Sequence, residues 1–119
     1  MRRILILAAA LIAPLSTAQA QKLDDTPRTV LMTAYYPEWN ALEPSIDDPK
    51  KHQINGMTFL TGTMSGKPVL LMQSGVSMVN AAMNTQLVLD HFAVKRIVFS
   101  GIAGGVDPAL NIGDVIVAD

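Results

Sequence analysis

Two β-prone runs, residues 57–64 and 67–73, constrain the fold of this chain most, because only Ser65 and Gly66 separate them. A connection of two residues favours a hairpin, so the two runs are predicted to pair as antiparallel strands. The next segment, residues 77–92, carries apolar side chains at roughly helical spacing and predicts an amphipathic helix. The middle of the chain therefore combines a hairpin with a helix.

The flanking segments extend this pattern. A short helix is predicted after residue 35, with Pro37 in its first turn, Trp39 and Leu42 on one face, and the polar run 47–51 beyond its end. Three further apolar runs are interpreted as strands: residues 29–34, 96–100 and 114–119. The order strand, helix, hairpin, helix, strand, loop, strand predicts an α/β fold with a mixed sheet.

The N-terminus has the pattern of a secretory signal. Arg2 and Arg3 precede an apolar run that is too short to anchor the chain stably in a bilayer, and Ala18-Gln19-Ala20 is a small-x-small cleavage pattern. We expect residues 1–20 to be removed, which predicts a periplasmic or secreted protein; the alternative is an uncleaved anchor. Residues 21–28 are polar and are interpreted as an exposed linker.

The charge and length of the chain after residue 20 limit its possible partners and its number of domains. Without Arg2 and Arg3, seven basic residues remain against ten acidic ones, a net charge of −3, and no Lys/Arg cluster is present. This balance favours neither nucleic acid nor, after signal cleavage, an anionic membrane as a partner. Residues 29–119 are enough for one domain.

Ligands of α/β sheets gather at the carboxyl ends of strands, which directs attention to the turns at residues 35–38, 74–77 and 101–105. Glu38 is the first candidate for chemistry, although an acid in a first helical turn is also favoured by the helix dipole alone. The glycines at 101–105 do not form the dinucleotide-binding pattern, and a tight turn explains them equally well.

Other chemistries find no support in the residues. Met72 occupies the first glycine position of a serine nucleophile elbow around Ser74, and His52 and His91 are interpreted as a polar-loop residue and a residue near a helix end. The chain has no cysteine and no cluster of histidine and acidic residues at ligand spacing. Neither a metal nor another cofactor is therefore expected.

Three segments together resemble the N-terminal half of a known family. They are residues 31–42 (LMTAYYPEWNAL), 62–76 (GTMSGKPVLLMQSGV) and 100–119 (SGIAGGVDPALNIGDVIVAD). An AGG turn followed by a short loop into GDVIV resembles the nucleoside phosphorylase superfamily, and the whole of residues 29–119 is most similar to its 5′-methylthioadenosine/S-adenosylhomocysteine nucleosidase branch. This resemblance implies a three-layer α/β fold with a mixed central sheet.

The resemblance also implies roles for individual residues. Glu38 falls at the position of the family's water-activating glutamate, so it becomes the candidate general base for hydrolysis of an N-glycosidic bond. Tyr35 replaces an apolar residue that approaches the ribose in the family, and Val76 matches an aliphatic position that lines the nucleoside pocket. Ser74 and Gly104 lie in the two other turns and are assigned to substrate binding. Ile102 stands where the family usually has serine or threonine, which removes a hydroxyl group near the sugar.

Three functions follow as alternatives. A purine nucleoside hydrolase is favoured over a phosphorylase, because no arginine that could bind phosphate lies in residues 35–42 or 74–80. The third is an exported nucleoside-binding protein without catalysis. The family's general acid and ribose-binding residues belong to its C-terminal half, so we expect the chain as given to be an inactive fragment, incomplete at the C-terminus, of a protein that forms a homodimer.

Overall fold

The computed structural model describes residues 21–118 and contains a five-stranded mixed sheet with helices on its two faces. The strands are β1 (Asp24–Thr33), β2 (Asp47–Ile54), β3 (Met57–Met64), β4 (Lys67–Gln73) and β5 (Phe92–Phe99). The helices are α1 (Tyr36–Leu42), followed by one 3-10 turn (Glu43–Ser45), and α2 (Met78–His91). The predicted α/β class and mixed sheet are confirmed.

The sheet has the order β2-β3-β4-β1-β5. The β3 and β4 strands pair antiparallel through the predicted hairpin, with Met64 opposite Lys67, and β2 adds to the outer edge of β3. In contrast, β1 runs parallel to both β4 and β5. The three parallel strands therefore end at one edge of the sheet, which is the edge where the sequence places its candidate turns.

Each face of the sheet has its own apolar core. On one face, side chains of β1, β3 and β4 pack with Val88 of α2 and with Phe92. On the other face, Trp39 packs with Ile46 and with alternate residues of β3 and β4. Because successive residues of a strand point to opposite faces, each buried strand contributes to both cores. This arrangement gives the three layers, helix, sheet and helix, that the resemblance implies.

The predicted first residues of two strands, β1 and β5, are wrong. Residues 24–28 are not a linker but the first half of β1, where the Arg28 guanidinium lies 2.7 Å from the Asp24 carboxylate and donates to the carbonyl of Gly62. The last strand also begins earlier than residue 96, at Phe92 directly after α2. The polar side chains of residues 24–28 concealed the start of β1, because they break the apolar pattern. The start of β5 is apolar and was missed because Phe92 was included in the predicted helix over residues 77–92.

The polar run at residues 47–51 is also not a loop but the start of edge strand β2. His52 is consequently not in a polar loop: its ring nitrogen Nε2 lies 2.9 Å from Oγ1 of Thr61, and its ring packs edge-on against Phe92 at 5.5 Å. One prediction fails in the opposite sense, because residues 114–118 form no strand and have exposed side chains. Residues 1–20, with the predicted signal, lie outside the described residues.

Gly62 of β3 gives a test of the packing between the sheet and the segment after α1. A Cβ added at Gly62 would overlap the Cγ2 methyl of Ile46 and lie 2.6 Å from the carbonyl oxygen of Asp47. We expect Gly62→Ala to lower the free energy of unfolding by about 1–3 kcal/mol, measured by urea unfolding. The control is Gly105→Ala, whose added Cβ would make an ordinary 3.5 Å contact. Equal stability of both variants would contradict this packing.

Candidate active site

The ends of the three parallel strands meet through backbone hydrogen bonds. The N–H of Ser74 after β4 donates to the Thr33 carbonyl at 2.7 Å, and the N–H of Ser100 after β5 donates to the Met32 carbonyl at 2.9 Å. The turns after β4 and β5 are thereby fixed on either side of the turn that follows β1. The structure brings the three predicted turns to one edge of the sheet.

Glu38 lies in the first turn of α1, two residues after its first residue, Tyr36. Its Oε2 accepts hydrogen bonds from the backbone N–H of Ala34 at 2.8 Å and of Tyr35 at 3.3 Å. This is the backward reach of an acid at the third helical position, which satisfies donors that the helix cannot. The two hydrogen bonds to Oε2 are thus local helix capping.

A third hydrogen bond, to Oε1, joins Glu38 to a distant part of the chain. Its Oε1 accepts from the backbone N–H of Ile102 at 3.0 Å, across 64 positions of sequence. A carboxylate has about four acceptor positions, and these three hydrogen bonds use two on Oε2 and one on Oε1. One acceptor position on Oε1 therefore stays available for a further donor such as water.

These contacts set the charge state of Glu38. Burial by itself raises the pKa of the carboxyl group, but hydrogen bonds from the N–H groups of Ile102, Ala34 and Tyr35 together outweigh burial, so the pKa lies below its ordinary value. Glu38 is accordingly ionised at neutral pH, as a group that accepts a proton must be.

The lowered pKa makes a prediction for stability. A carboxyl group whose pKa is lower in the folded state stabilises the protein above its unfolded pKa, about 4.3 for glutamate, and loses that contribution as the pH falls through the folded value. We therefore expect the Glu38→Gln variant to be less stable than the unsubstituted protein at neutral pH, with the difference shrinking below about pH 4.3. Urea unfolding across this range measures it. A difference that stays constant with pH would contradict the lowered pKa.

The other predicted site residues differ in accessibility. Tyr35 is partly exposed at 38 %, while Val76 at 72 % and Ile102 at 80 % present apolar side chains to solvent. Gly104 is exposed and has open space around it. Ser74 is only 1 % exposed, and its hydroxyl donates to the Gly75 carbonyl at 2.9 Å. Ser74 therefore shapes its turn, whereas the other four side chains or backbones line the surface.

Several contributors to this edge were not predicted from the sequence. The backbone donors to Glu38 carry no residue-type signal, although an acid three residues after a helix cap is a known sign of the local half. Asn84 of α2 donates to the Ser74 carbonyl at 2.9 Å and so fixes the turn after β4. Asn84 lies within the predicted helix over residues 77–92, and nothing in the sequence distinguishes it from a solvated polar residue.

Two open cavities in the described part of the chain do not have Glu38 among their lining residues. One, of about 190 Å³, is next to α1 and includes Trp39, Glu43 and Lys51, while the other lies along α2 and includes Asn55 and Asn84.

Within residues 21–118, no group of three or more histidine or acidic side chains could hold a metal ion. No helix in this range has the length and apolarity needed to cross a bilayer.

Comparison with known proteins identifies the family. The model of the phosphorylase superfamily matches residues 29–119. The chain belongs to the phosphorylase superfamily. This match covers both Glu38 and the glycine-rich turn. The backbone donors to Glu38, at Ala34, Tyr35 and Ile102, therefore all lie within the family domain.

The curated relatives that this phosphorylase-superfamily chain matches include two 5′-methylthioadenosine/S-adenosylhomocysteine nucleosidases. That of Pseudoalteromonas translucida is 38 % identical over 88 residues, 74 % of this chain and 37 % of the relative. That of Marinomonas sp. is 42 % identical over 72 residues, 60 % of this chain and 31 % of the relative. The chain thus spans about a third of the length of these relatives.

Solved structures of the same kind share the fold. The nucleosidase of Colwellia psychrerythraea, in complex with adenine, superimposes with a TM-score of 0.71 at 35 % identity, over 74 % of this chain and 36 % of that one. The Streptococcus pneumoniae nucleosidase, with the transition-state inhibitor MT-ImmA, gives 0.70 at 30 % identity, over 73 % and 38 %. The resemblance seen in the sequence, to the superfamily and most closely to its nucleosidase branch, is confirmed.

Proposed function

We propose that the protein to which this chain belongs hydrolyses the N-glycosidic bond of a purine nucleoside of the 5′-methylthioadenosine type. The observation that carries the proposal is the Glu38 carboxylate, ionised and held by three backbone donors at the edge where the parallel strands end. The relatives named above act as nucleosidases, and one was solved with adenine bound.

In this proposal Glu38 is the general base. Water bound at the open position of Oε1 gives a proton to the carboxylate as its oxygen attacks C1′ of the ribose, and the purine leaves with the bonding electrons after protonation by an acid elsewhere in the protein. Fixing the carboxylate before substrate arrives avoids reorganisation during the reaction. The exposed Tyr35 and Val76 side chains would line the apolar side of the substrate.

Hydrolysis is favoured over phosphorolysis by the groups around Glu38. Phosphate recognition calls for converging cations, ideally a bidentate arginine. Among the described residues, the donors to Glu38 are backbone N–H groups, and the Arg28 guanidinium is paired with Asp24. A carboxylate also repels phosphate but orients water.

The proposal is tested by following adenine release from 5′-methylthioadenosine by the full-length gene product without residues 1–20. Release that is independent of phosphate supports hydrolysis. Release that requires phosphate would replace it with phosphorolysis.

A second candidate is an exported nucleoside-binding protein without catalysis. The observation in its favour is the exposed, apolar Ile102 side chain at the position next to Glu38. Binding of 5′-methylthioadenosine by calorimetry, with no adenine release and no change in affinity on Glu38→Gln, would favour it over the enzyme.

Two further parts of the proposal concern export and assembly. We propose that residues 1–20 direct secretion and are removed after Ala20, supported by the charged, apolar and small-residue order of this segment. N-terminal sequencing of the protein from the periplasmic fraction tests this.

We also propose that the protein forms a homodimer. Exposed apolar residues on α2, such as Met78, Val79 and Met83, support this proposal. Sedimentation of the full-length protein tests it.

A further inference from the structure

The peptide between Gly101 and Ile102 lies directly against the Glu38 carboxylate. The N–H of Ile102 donates to Oε1 at 3.0 Å. A Cβ added at Gly101 would lie 2.6 Å from Oε1, 3.0 Å from the carboxyl carbon and 3.1 Å from Oε2. All three distances are shorter than ordinary van der Waals contacts, so a side chain at position 101 and the carboxylate cannot occupy their places together.

The need for glycine at position 101 is one of space rather than backbone conformation. Gly75 and Gly113 have positive φ values of 72° and 99°, but Gly101 is not among the glycines in that left-handed region. The atoms that a Cβ would meet belong to the end of the Glu38 side chain, which can rotate away, and not to backbone. An added methyl group would therefore displace the carboxylate and leave the strands in place.

The side chain at position 102 has no part in this contact. Ile102 is 80 % exposed, and it is the backbone N–H that reaches Glu38. The hydrogen bond is therefore compatible with isoleucine where the family usually has a hydroxyl residue. What the contact requires is the residue before it, since only glycine lets the peptide approach the carboxylate this closely.

We propose that Gly101 is a positioning residue: its missing side chain lets the Ile102 N–H hold Oε1 of Glu38 in place, and any larger residue at 101 detaches the carboxylate without unfolding the sheet. The structural part stands on geometry alone. The kinetic part rests on the proposed function, because it takes Glu38 as the general base.

Amide hydrogen exchange at Ile102 tests the structural part without reference to activity. In the full-length protein lacking residues 1–20, Gly101→Ala and Glu38→Ala should each accelerate this exchange about tenfold, the equivalent of one hydrogen bond. Gly105→Ala is the matched control, because its Cβ would lie 3.5 Å from Leu110 in ordinary contact, and it should leave the exchange unchanged. Unchanged exchange in Gly101→Ala would overturn the proposal.

Turnover tests the kinetic part. Gly101→Ala should lower kcat for adenine release about 10²-fold with little change in KM, because a general base contributes at least this factor. In the Glu38→Ala background the same substitution should cost nothing further, since the atoms it meets are gone. Independent, multiplying effects would overturn the positioning role. Absence of turnover in the unsubstituted protein would instead refute the proposed function, and the exchange comparison would still decide this inference.

Discussion

Glu38→Gln is expected to lower the rate of adenine release from 5′-methylthioadenosine by about 10²–10⁴-fold, the range that a general base contributes. Glutamine keeps the size of the side chain but cannot accept a proton from water. Its NH₂ group would also face a backbone donor in either orientation, because both carboxylate oxygens accept hydrogen bonds from backbone N–H groups. Steady-state kinetics on the full-length protein, with adenine detected directly, measure the effect.

The matched control for this prediction is Glu43→Gln. Glu43 follows α1 in the chain and accepts a hydrogen bond from the Trp39 indole at 2.8 Å, which a glutamine carbonyl can also accept. We expect this variant to keep the rate of the unsubstituted protein. If Glu38→Gln and Glu43→Gln retained equal and undiminished rates, Glu38 would not be the base, and the proposed chemistry at this edge would be wrong.

Phe92→Ala should give the largest loss of stability, about 3–5 kcal/mol in the free energy of unfolding, the range for truncation of a large buried aromatic residue. Phe92 is 1 % exposed, and its ring packs against Phe59 at 5.4 Å and against His52 at 5.5 Å. It therefore joins the start of β5 to the hairpin and to the edge strand β2. Removing the ring leaves a cavity that these strands cannot close.

Urea unfolding of the full-length protein measures this loss, with Leu23→Ala as the control because that side chain is half exposed. The control should change stability far less. Phe92→Leu, which keeps an apolar side chain, should lie between the two. A loss for Phe92→Ala no greater than for Leu23→Ala would contradict the placement of Phe92 in the core.

Local signals in the sequence were sufficient for the elements that bury apolar side chains. The hairpin at Ser65 and Gly66 and the helix over residues 77–92 were predicted nearly as the structure has them, because each depends on neighbours close in the chain. Edge strand β2 was missed. Its side chains are mostly exposed, so only its backbone pairing with β3 makes it a strand, and that pairing leaves no pattern in the residues.

The converse error at residues 114–118 has a related cause. Val115, Ile116 and Val117 form an apolar run typical of a buried strand, yet their side chains are exposed and the described residues include no strand beside them. Apolar composition favours burial but does not supply a partner for the backbone hydrogen bonds of a strand. The pairing decides the strand, as it does for β2, and residues 114–118 lack it among the described residues.

The sequence by itself determined the α/β class, the hairpin, the membership suggested by the AGG turn, and the position of Glu38 in a first helical turn. Only the tertiary structure decided the environment of that carboxylate. The donor at Ile102 lies 64 residues away in the sequence and is a backbone N–H group. Every residue except proline has such a group, so the residue type at position 102 does not predict the hydrogen bond. Parallel pairing of β1 with β5 brings the two turns together, and the absent side chain of Gly101 completes the contact.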